Sequence, residues 1–318
     1  MEGLAVTVRA GLSTIYAIND NNGSDYAFVA APDGQGYIVP EAYKQPPQGI
    51  AGAVAVMRAL ASITTTDVLL IGLDESRLPV GLSVRPTEVD GRAAWYSFGF
   101  LLRLAAAKLL DVDPTELNVG LRIHRVAEGP RAEVFLADRL ENGAGYSTYL
   151  ANDQTLKELF RLIGTEAELG TIAHGFATHE QAGKSCDSSC YDCLRDYGNM
   201  AYHGLLDWRL ALDLADLAAG RPLPEARWLA RAAKIRERLC AGFNWAPVDY
   251  GPLSGIERPA PDGPILLTHP LWSPPPRFLG PTLAEAYTAA QAAAPDRSIA
   301  CVSLFDAVRR PGQLAWLR

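Results

Sequence analysis

Three of the chain's five cysteines lie in one short run, Cys-Asp-Ser-Ser-Cys-Tyr-Asp-Cys, as Cys186, Cys190 and Cys193. Two thiolates separated by two residues can bind one tetrahedral metal from a tight turn, and a third thiolate four residues upstream reaches the same ion. An apolar core alone does not need cysteines grouped in this way. The run therefore predicts a zinc site, which is either structural or catalytic.

A zinc ion with three thiolate ligands needs a fourth ligand. His179 lies seven residues before Cys186 and is the first choice, and His203, ten residues after Cys193, is the second. The candidates that also remain open are Asp187, Cys240 and His174. Four protein ligands indicate a structural site, whereas a water or an open position on the metal indicates a catalytic one.

The Gly-Lys-Ser sequence at 183–185 matches the end of a phosphate-binding P-loop. The first position of that motif is occupied by Thr178 rather than by a small residue. The loop also runs straight into the cysteines, where a P-loop would begin its phosphate-binding helix. Lys184 and Ser185 are therefore interpreted as solvated residues of a turn.

Two other cysteine chemistries fit the run less well. A zinc deaminase needs His-x-Glu and, on a second helix, Pro-Cys-x-x-Cys, but His179 and Glu180 are adjacent and no proline precedes Cys190. A redox Cys-x-x-Cys at Cys190 and Cys193 would leave Cys186 without a role.

The composition is that of a globular chain, with 48% hydrophobic and 20% charged residues among 318. An odd number of cysteines, three of them crowded together, does not indicate a disulfide framework, so a reducing cytoplasm is expected. We expect no secretory signal, because the N-terminus lacks a basic region followed by an apolar run. We expect no membrane span, because the most apolar stretch, 98–110, is short and contains Arg103 and Lys108. The net charge of −7 argues against nucleic-acid binding through the whole surface.

The pattern of apolar residues predicts a mixed α/β (α+β) fold, with a central sheet flanked by helices, a zinc-bound cysteine loop and a small α/β tail. Residues 1–40 resemble an antiparallel meander with turns at 19–23 and 32–34. The predicted strands are 64–72, 117–124, 132–137, 264–270 and 299–305. The predicted helices are 50–62, 96–110, 147–163, 203–218, 224–240 and 281–294, with 241–280 otherwise irregular.

This element order suggests three parts: N-terminal strands at 1–45, a central domain at 46–245 and a C-terminal α/β extension at 246–318. The helix at 96–110 is apolar on nearly every face, so we expect it to be buried on most sides.

Two further features could face a ligand. The loop 138–146 contains Gly143 and Gly145 between a strand and a helix, and it is either an anion-binding helix N-terminus or a packed turn. The predicted helix 224–240 carries a basic stripe with 4, 3 and 4 spacing, which is either a phosphate-contacting surface or a solvated face. Its members are Arg227, Arg231, Lys234 and Arg238.

Three segments in this order, 138–146, 186–199 and 203–209, resemble the MrfA-type zinc-binding domain, a domain of MrfA-like DNA helicases. The sequences Tyr-Asp-Cys-Leu-Arg-Asp-Tyr and Leu-Asp-Trp-Arg are most similar to those of DrmB, the helicase-associated subunit of the DISARM anti-phage system. The resemblance covers residues 60–220. It departs from the helicase pattern where Lys184 stands in place of a fourth cysteine, so either a histidine substitutes or metal binding is weakened.

The resemblance implies a zinc-binding accessory subunit that works with a separate helicase and reaches DNA through that complex, with no catalysis of its own. The implied metal ligands are Cys186, Cys190, Cys193 and His179, and the basic stripe and glycine loop would face DNA. One alternative is a metal-dependent hydrolase or nuclease that uses His269 or Asp138, and another is a protein-only interaction module.

Overall fold

Two mixed layers of helix and sheet make up the chain in the computed structural model. The residues that the structure describes are 3–19, 26–30, 37–38, 54–57, 59–127, 129–181, 183–275 and 277–317. The predicted turn at 32–34 and nearly all of the one at 19–23 lie outside these ranges. The predicted mixed α/β class is confirmed, because four-stranded sheets at both ends of the described chain pack against helices.

The first sheet has the strand order β1-β5-β7-β6 and is antiparallel throughout. Its strands are β1 (Val6–Asn19), β5 (Leu60–Leu73), β6 (Leu117–Val126) and β7 (Gly129–Asp138). The strands β2 (Tyr26–Ala30), β3 (Tyr37–Ile38) and β4 (Val54–Met57) form a small separate sheet between β1 and β5. The predicted helix at 50–62 is wrong, since 54–57 and 60–62 are strand residues.

Helix α1 (Val89–Leu110) is the centre of the fold. It contacts β6 and β7 on one side and the helices α3 (Asp153–Ile163) and α5 (Trp208–Ala218) on the other. Gly99 permits this close approach, because a Cβ at this position would lie 2.9 Å from Cγ1 of Val119 on β6. The predicted buried apolar helix is thus confirmed, with a start seven residues earlier.

Helix α1 is also the one helix in the described part of the chain that is long and apolar enough to cross a membrane. In this structure 72% of its most apolar window is buried by the rest of the protein. A buried core helix meets the same criteria of length and composition, and packing of this kind explains its apolar sequence.

The predicted helix at 147–163 is divided into α2 (Tyr146–Leu150) and α3, because Asn152 caps a new helix by accepting a hydrogen bond from the N–H of Gln154. The buried residues of α3 recur at helical spacing and join the main core. They are Leu156, Leu159, Phe160 and Ile163. Helix α4 (Ile172–Thr178) follows and leads directly into the cysteine loop.

The predicted helix at 203–218 begins only at Trp208, after Asp207 accepts a hydrogen bond from the N–H of Arg209 as its N-cap. Residues Tyr197–Tyr202 form a short 3-10 helix before it. The helix predicted at 224–240 consists of α6 (Ala226–Leu229) and α7 (Ala232–Phe243), which are separate segments.

The second sheet has the order β10-β11-β12-β13, with an antiparallel hairpin and one parallel pair. Its strands are β10 (Ala246–Tyr250), β11 (Leu253–Glu257), β12 (Ile265–Thr268) and β13 (Ala300–Ser303). Helix α8 (Pro281–Ala293) connects β12 to β13, and α9 (Leu304–Arg309) follows β13. The strands β12 and β13 and the helix α8 confirm the predicted elements, whereas the hairpin β10–β11 lies in a stretch predicted to be irregular.

The main hydrophobic core runs from the first sheet through α1 and α5 into the second sheet. Leu69 of β5, Leu101 of α1, Leu214 of α5 and Leu267 of β12 all belong to it and are fully buried. The division of the chain at residues 45 and 245 stays a prediction, and this core crosses its second boundary.

Candidate metal centre

The ligand atoms of His179, Cys186, Cys190 and Cys193 come together at the C-terminal end of α4. The imidazole nitrogen and the three sulfurs all lie within 4.8 Å of one another. The three cysteines are buried and the histidine is half-buried. Among the described residues this is the one group of three or more such side chains that could hold a metal.

A two-stranded hairpin places the first two members of the group side by side. Strands β8 (Glu180–Gln181) and β9 (Lys184–Ser185) pair so that Glu180 lies opposite Ser185. His179 precedes this hairpin directly and Cys186 follows it directly, so antiparallel pairing carries both side chains to the same end. The Gly-Lys-Ser sequence belongs to this hairpin and opens no helix.

A tight turn places the other two members. The N–H of Cys193 donates to the carbonyl of Cys190 at 3.2 Å, which closes the turn around the two intervening residues. The N–H of Cys190 donates to Sγ of Cys193 at 3.1 Å. The two sulfurs are thereby held 3.8 Å apart. Two thiolates of one tetrahedral zinc lie about 3.8 Å apart when each Zn–S bond is about 2.3 Å.

The histidine is oriented for coordination through Nε2. Its Nδ1 lies 2.7 Å from the carbonyl of Phe176, and a proton on Nδ1 would be donated there. Nε2 then presents its lone pair to the sulfurs, 3.2 Å from Sγ of Cys190. A backbone carbonyl that fixes the tautomer of a ligating histidine is a common companion of a metal site.

Burial raises the pKa of the Cys186 and Cys193 thiols, and charge repulsion among the three clustered sulfurs raises it further. The hydrogen bond from the N–H of Cys190 opposes the rise in the pKa of Cys193. Three buried thiolates close together are therefore unfavourable without a cation between them. A divalent metal supplies that charge and stabilises the deprotonated ligands. The donor set of three sulfurs and one imidazole nitrogen suits tetrahedral zinc and fills all four of its positions.

The other predicted ligand candidates lie elsewhere. Nε2 of His203 lies 2.8 Å from Oδ1 of Asn199, and Nδ1 of His174 lies 2.8 Å from the carbonyl of Glu166. Asp187 is exposed and forms an ion pair with Arg231. Cys240 is buried in α7 within the apolar core.

Two residues at the start of α5 tie the metal loop to the core. Nε1 of Trp208 donates to the carbonyl of Cys186 at 3.2 Å, and Nη1 of Arg209 donates to the carbonyl of Asp187 at 2.8 Å. The Arg209 guanidinium also lies over the Trp208 ring, 4.2 Å from its centroid. The Leu-Asp-Trp-Arg sequence therefore caps α5 and holds the loop, a role that spacing alone did not indicate.

The predicted basic stripe is not a continuous exposed surface. Arg227 and Arg231 lie on either side of the break between α6 and α7. The side chain of Arg227 is only 4% exposed, so it cannot contact a phosphate. Arg231 is paired with Asp187, and only Lys234 and Arg238 are exposed. A single stripe of four phosphate-binding cations is thus wrong for this segment.

Arg227 belongs instead to a buried network of charges. Its guanidinium pairs with Asp213 at 2.5 Å, Asp216 at 2.7 Å and Glu166 at 3.0 Å. Burial alone would lower the pKa of Arg227, but these carboxylates outweigh it and raise that pKa. Burial raises the pKa of Asp213 to about 7 against the opposing effect of Arg227. The network joins α5 and α6 to the segment before α4.

His269 packs on this network and has no access to solvent. Its Nε2 lies 3.6 Å from Oδ2 of Asp213, and both side chains are fully buried. Burial and the nearby Arg227 lower the pKa of His269 to about 3, which keeps the ring neutral. The predicted hydrolytic alternative used His269, but a substrate cannot reach this ring.

Asp138 of the same alternative is a structural residue. It is fully buried. Its carboxylate accepts hydrogen bonds from the N–H groups of Ala144, Tyr146 and Ser147 at 2.7, 3.0 and 2.9 Å. The N–H groups at the start of α2 are therefore already satisfied by Asp138. The interpretation of this glycine loop as a packed turn is the one that fits the structure.

The two loop glycines differ in what surrounds them, which leads to a prediction. Both have positive φ, +76° at Gly143 and +82° at Gly145. A Cβ at Gly143 would lie 2.3 Å from Oδ2 of Asp67, whereas one at Gly145 would meet nothing within 4 Å. We expect Gly145→Ala to cost about 1–2 kcal/mol through backbone strain, and Gly143→Ala to cost more. Urea unfolding of both variants measures the difference, and equal costs would contradict the predicted clash.

A cavity of about 320 Å³ lies at the carboxyl ends of the parallel strands β12 and β13. Thr268 and Ser303 end these strands at its wall, and Asp90 enters from the first turn of α1. Oδ1 of Asp90 is buried and has no hydrogen-bond partner among the described residues. Burial raises the pKa of Asp90 from 3.8 to about 7, although a hydrogen bond with Ser303 opposes the rise.

The raised pKa of Asp90 leads us to predict that the stability of the protein depends on pH. A raised folded pKa adds stability at low pH, and that stability is lost as the pH rises through about 7. We expect Asp90→Asn to become more stable relative to the wild type between pH 5 and pH 8, by up to about 3 kcal/mol. Urea unfolding at both pH values tests this, with the exposed Glu237→Gln as the control. A gap that does not change with pH would refute the prediction.

Comparison with known proteins identifies the region around the metal centre. Residues 98–194 match the family model of the MrfA Zn-binding domain. Over 125 residues the chain is 36% identical to the Druantia protein DruE of Escherichia coli, a match that covers 38% of this chain and 6% of that protein. The chain therefore corresponds to a small part of this relative.

A solved structure, the DUF1998 helicase MrfA bound to DNA, overlaps 67% of this chain and 26% of the helicase, with 11% identity and a TM-score of 0.38. That overlap does not establish a shared fold. The match at 98–194 contains His179 and the three clustered cysteines. The metal centre thus lies within a segment that matches the MrfA Zn-binding domain.

Proposed function

We propose that the chain is a zinc-binding accessory subunit of a DNA helicase or nuclease complex in anti-phage defence. In this proposal it has no catalysis of its own, and a separate helicase subunit supplies the motor. The observation that carries the proposal is the closed group of His179, Cys186, Cys190 and Cys193 within a segment that matches the MrfA Zn-binding domain.

The arrangement favours a structural zinc over a catalytic one. Four protein ligands occupy every tetrahedral position and leave none for a water. The two acid–base residues of the hydrolytic alternative, His269 and Asp138, are fully buried. When bound, the zinc would supply a cross-link that holds the 179–193 loop in one conformation. Trp208 and Arg209 fix the loop to α5 through hydrogen bonds to its backbone carbonyls.

The role beside a helicase rests on similarity to other proteins. The segment 98–194 matches a domain named after MrfA, and part of the chain is similar to DruE. The sequence 183–185 lies in the β8–β9 hairpin and its turn, so it supplies no phosphate-binding loop. Placing the chain in phage defence is a proposal that rests on the resemblance of its Tyr-Asp-Cys-Leu-Arg-Asp-Tyr and Leu-Asp-Trp-Arg sequences to DrmB of the DISARM system.

Metal analysis of the full chain, purified without chelators, tests the core of the proposal. We expect about one zinc per chain. Replacement by cobalt should give the intense visible absorption of a tetrahedral four-coordinate site. A chain without zinc, or a cobalt spectrum typical of five or six ligands, would refute a closed structural site.

The proposed partnership needs a separate measurement. The zinc-loaded chain and its proposed helicase partner, to be sought among the genes beside its own, should elute together in size-exclusion chromatography. The Cys190→Ser variant should elute alone if the loop contributes to the contact. Independent elution of the zinc-loaded wild-type chain would contradict the accessory role while leaving the metal site intact.

A further inference from the structure

A cleft of about 450 Å³ separates the metal loop from the C-terminal helix α9. The residues that line it come from the 186–205 segment, from α9 and from the start of α1. Three of them are arginines and one is a histidine, namely Arg195, Arg309, Arg310 and His203. No aspartate or glutamate is among the described residues that line this cleft, although the whole chain carries a net charge of −7.

Contacts hold the arginines that line the cleft in place, and Arg310 forms an ion pair with Asp306. Nε of Arg195 donates to Oγ of Ser189 at 2.8 Å, and no carboxylate among the described residues lies within ion-pair distance of Arg195. Arg309 lies over the Phe305 ring, 3.9 Å from its centroid. Its partner Asp207 is only 1% exposed, so this carboxylate does not reach the cleft.

Exposed aromatic rings continue the same surface. The ring of Tyr191 lies 5.8 Å from that of His203, which lines the cleft, and 5.4 Å from that of Tyr197. Tyr197 is 80% exposed and Tyr191 is 54% exposed. Tyr191 lies between Cys190 and Cys193, so the metal loop sets the position of its ring.

We propose that this cleft and the tyrosines beside it bind single-stranded nucleic acid. The guanidinium groups would contact successive phosphates, and Tyr191 and Tyr197 would stack against unpaired bases. Such surfaces combine a cationic groove with aromatic side chains. The inference rests on the proposed function in one respect, because the zinc loop carries Tyr191.

The combination of charges and rings selects this ligand over two others. An acidic peptide would be attracted by the arginines but would gain nothing specific from Tyr197. In a duplex the bases are stacked on one another, so the base faces are not available to the tyrosine rings. Unpaired bases offer a flat face to every aromatic ring, and this stacking does not depend on base identity.

Fluorescence anisotropy with a labelled oligothymidylate of about 12 nucleotides tests the inference on the zinc-loaded full chain. We expect Tyr197→Ala to weaken binding by about 5- to 150-fold, while Tyr197→Phe, which keeps the ring, binds like the wild type. Arg195→Gln should reduce the slope of log K against log salt by about 0.7. The control is a Lys234→Gln, Arg238→Gln double variant, which removes exposed cations outside the cleft and should not change the affinity.

Two results would overturn the inference: no binding by the zinc-loaded wild type at about 50 mM salt, or an affinity that Tyr197→Ala leaves unchanged. Displacement of the oligonucleotide by polyglutamate at equal charge, with no effect of Tyr197→Ala, would indicate a charge-only surface and would also refute it. If an oligouridylate binds as tightly as the oligothymidylate, the result supports the site and shows that it does not discriminate between ribose and deoxyribose. Zinc is measured in every sample. Loss of zinc would count against the proposed function, whereas a zinc-loaded chain that does not bind the oligonucleotide would count against the cleft as a binding site.

Discussion

Replacing Cys190 with serine is expected to abolish zinc binding, reducing the metal content from about one to below about 0.1 per chain. Cys190 lies between two of the other ligands, 3.8 Å from Sγ of Cys193 and 3.2 Å from Nε2 of His179. Without the metal, Cys186 and Cys193 remain buried thiols. We expect the loop to lose its structure and the free energy of unfolding to fall by at least about 3 kcal/mol.

Metal analysis and thermal unfolding measure this effect. For a chain of this size the expected loss lowers Tm by at least about 4 °C. Cys301→Ser is the matched control, because Cys301 lies in β13, outside the metal centre. This control should retain its zinc. A Cys190→Ser variant that keeps a full complement of zinc would show that the cluster is not the metal site.

The identity of the fourth ligand can be tested in the same experiment. His179→Ala should lose zinc as Cys190→Ser does, because no other described ligand candidate lies in the cluster. His179→Cys should retain zinc, because a thiolate is an equally suitable ligand. His203→Ala should have no effect on metal content. Loss of zinc in His203→Ala alone would overturn the assignment of His179.

Arg227→Ala should be the most destabilising single change outside the metal centre. Removal of this guanidinium leaves Asp213 and Asp216 buried without their main cation, and breaking a buried ion pair from one side costs about 3–5 kcal/mol. The cost should be greater at pH 8 than at pH 5. Without Arg227 the pKa of Asp213 would rise further above its usual value. The buried carboxyl would then be stable only while protonated, so the free energy of unfolding would fall as the pH rises.

Urea unfolding at the two pH values measures this prediction. Arg227→Lys is a second variant that keeps the charge but loses the planar geometry through which Arg227 reaches three carboxylates. Lys234→Ala, an exposed cation of the neighbouring helix, is the control and should change stability by less than about 0.5 kcal/mol. If Arg227→Ala and Lys234→Ala cost the same, the buried network does not stabilise the fold.

The metal centre and the central helix were the parts most open to prediction from the sequence. Spacing alone places Cys190 and Cys193 on one turn, because few backbone conformations join two residues so close in the chain. The continuous apolar pattern of α1 shows that it is buried, since an exposed face would need polar residues. His179 was the first choice from the sequence, and the hairpin between it and Cys186, which the sequence does not display clearly, is what brings it into the cluster.

The errors arose where contacts distant in sequence outweigh local preference. The segment 54–57 contains valine and alanine and reads as either helix or strand, but it pairs with β2 some thirty residues earlier. The hairpin β10–β11 was missed because its short strands are rich in proline, glycine and acids. Pairing with β12, which is strongly apolar, decides its structure.

The basic stripe was wrong for a different reason. The spacing of Arg227, Arg231, Lys234 and Arg238 is compatible with one helix face, but spacing cannot distinguish an exposed cation from a buried one. The signal that could have found the network is the pair Asp213 and Asp216 in α5, where two acids interrupt a helix that is otherwise apolar from Leu210 onward. Buried acids require a cation, and Arg227 supplies it. Nothing in the sequence brings Arg309 and Arg310 to Arg195, because this depends on how the second sheet packs.

The local origin of the metal ligands has a consequence for the order of folding during synthesis. All four come from residues 179–193, so the whole set is available once that short segment has left the ribosome. Closing so short a loop costs little entropy. The nascent chain can therefore acquire its metal before α5 or the second sheet exists, whereas the Arg227 network must wait for Trp228 and His269. Metal capture would precede, and could guide, the assembly of the core around α1.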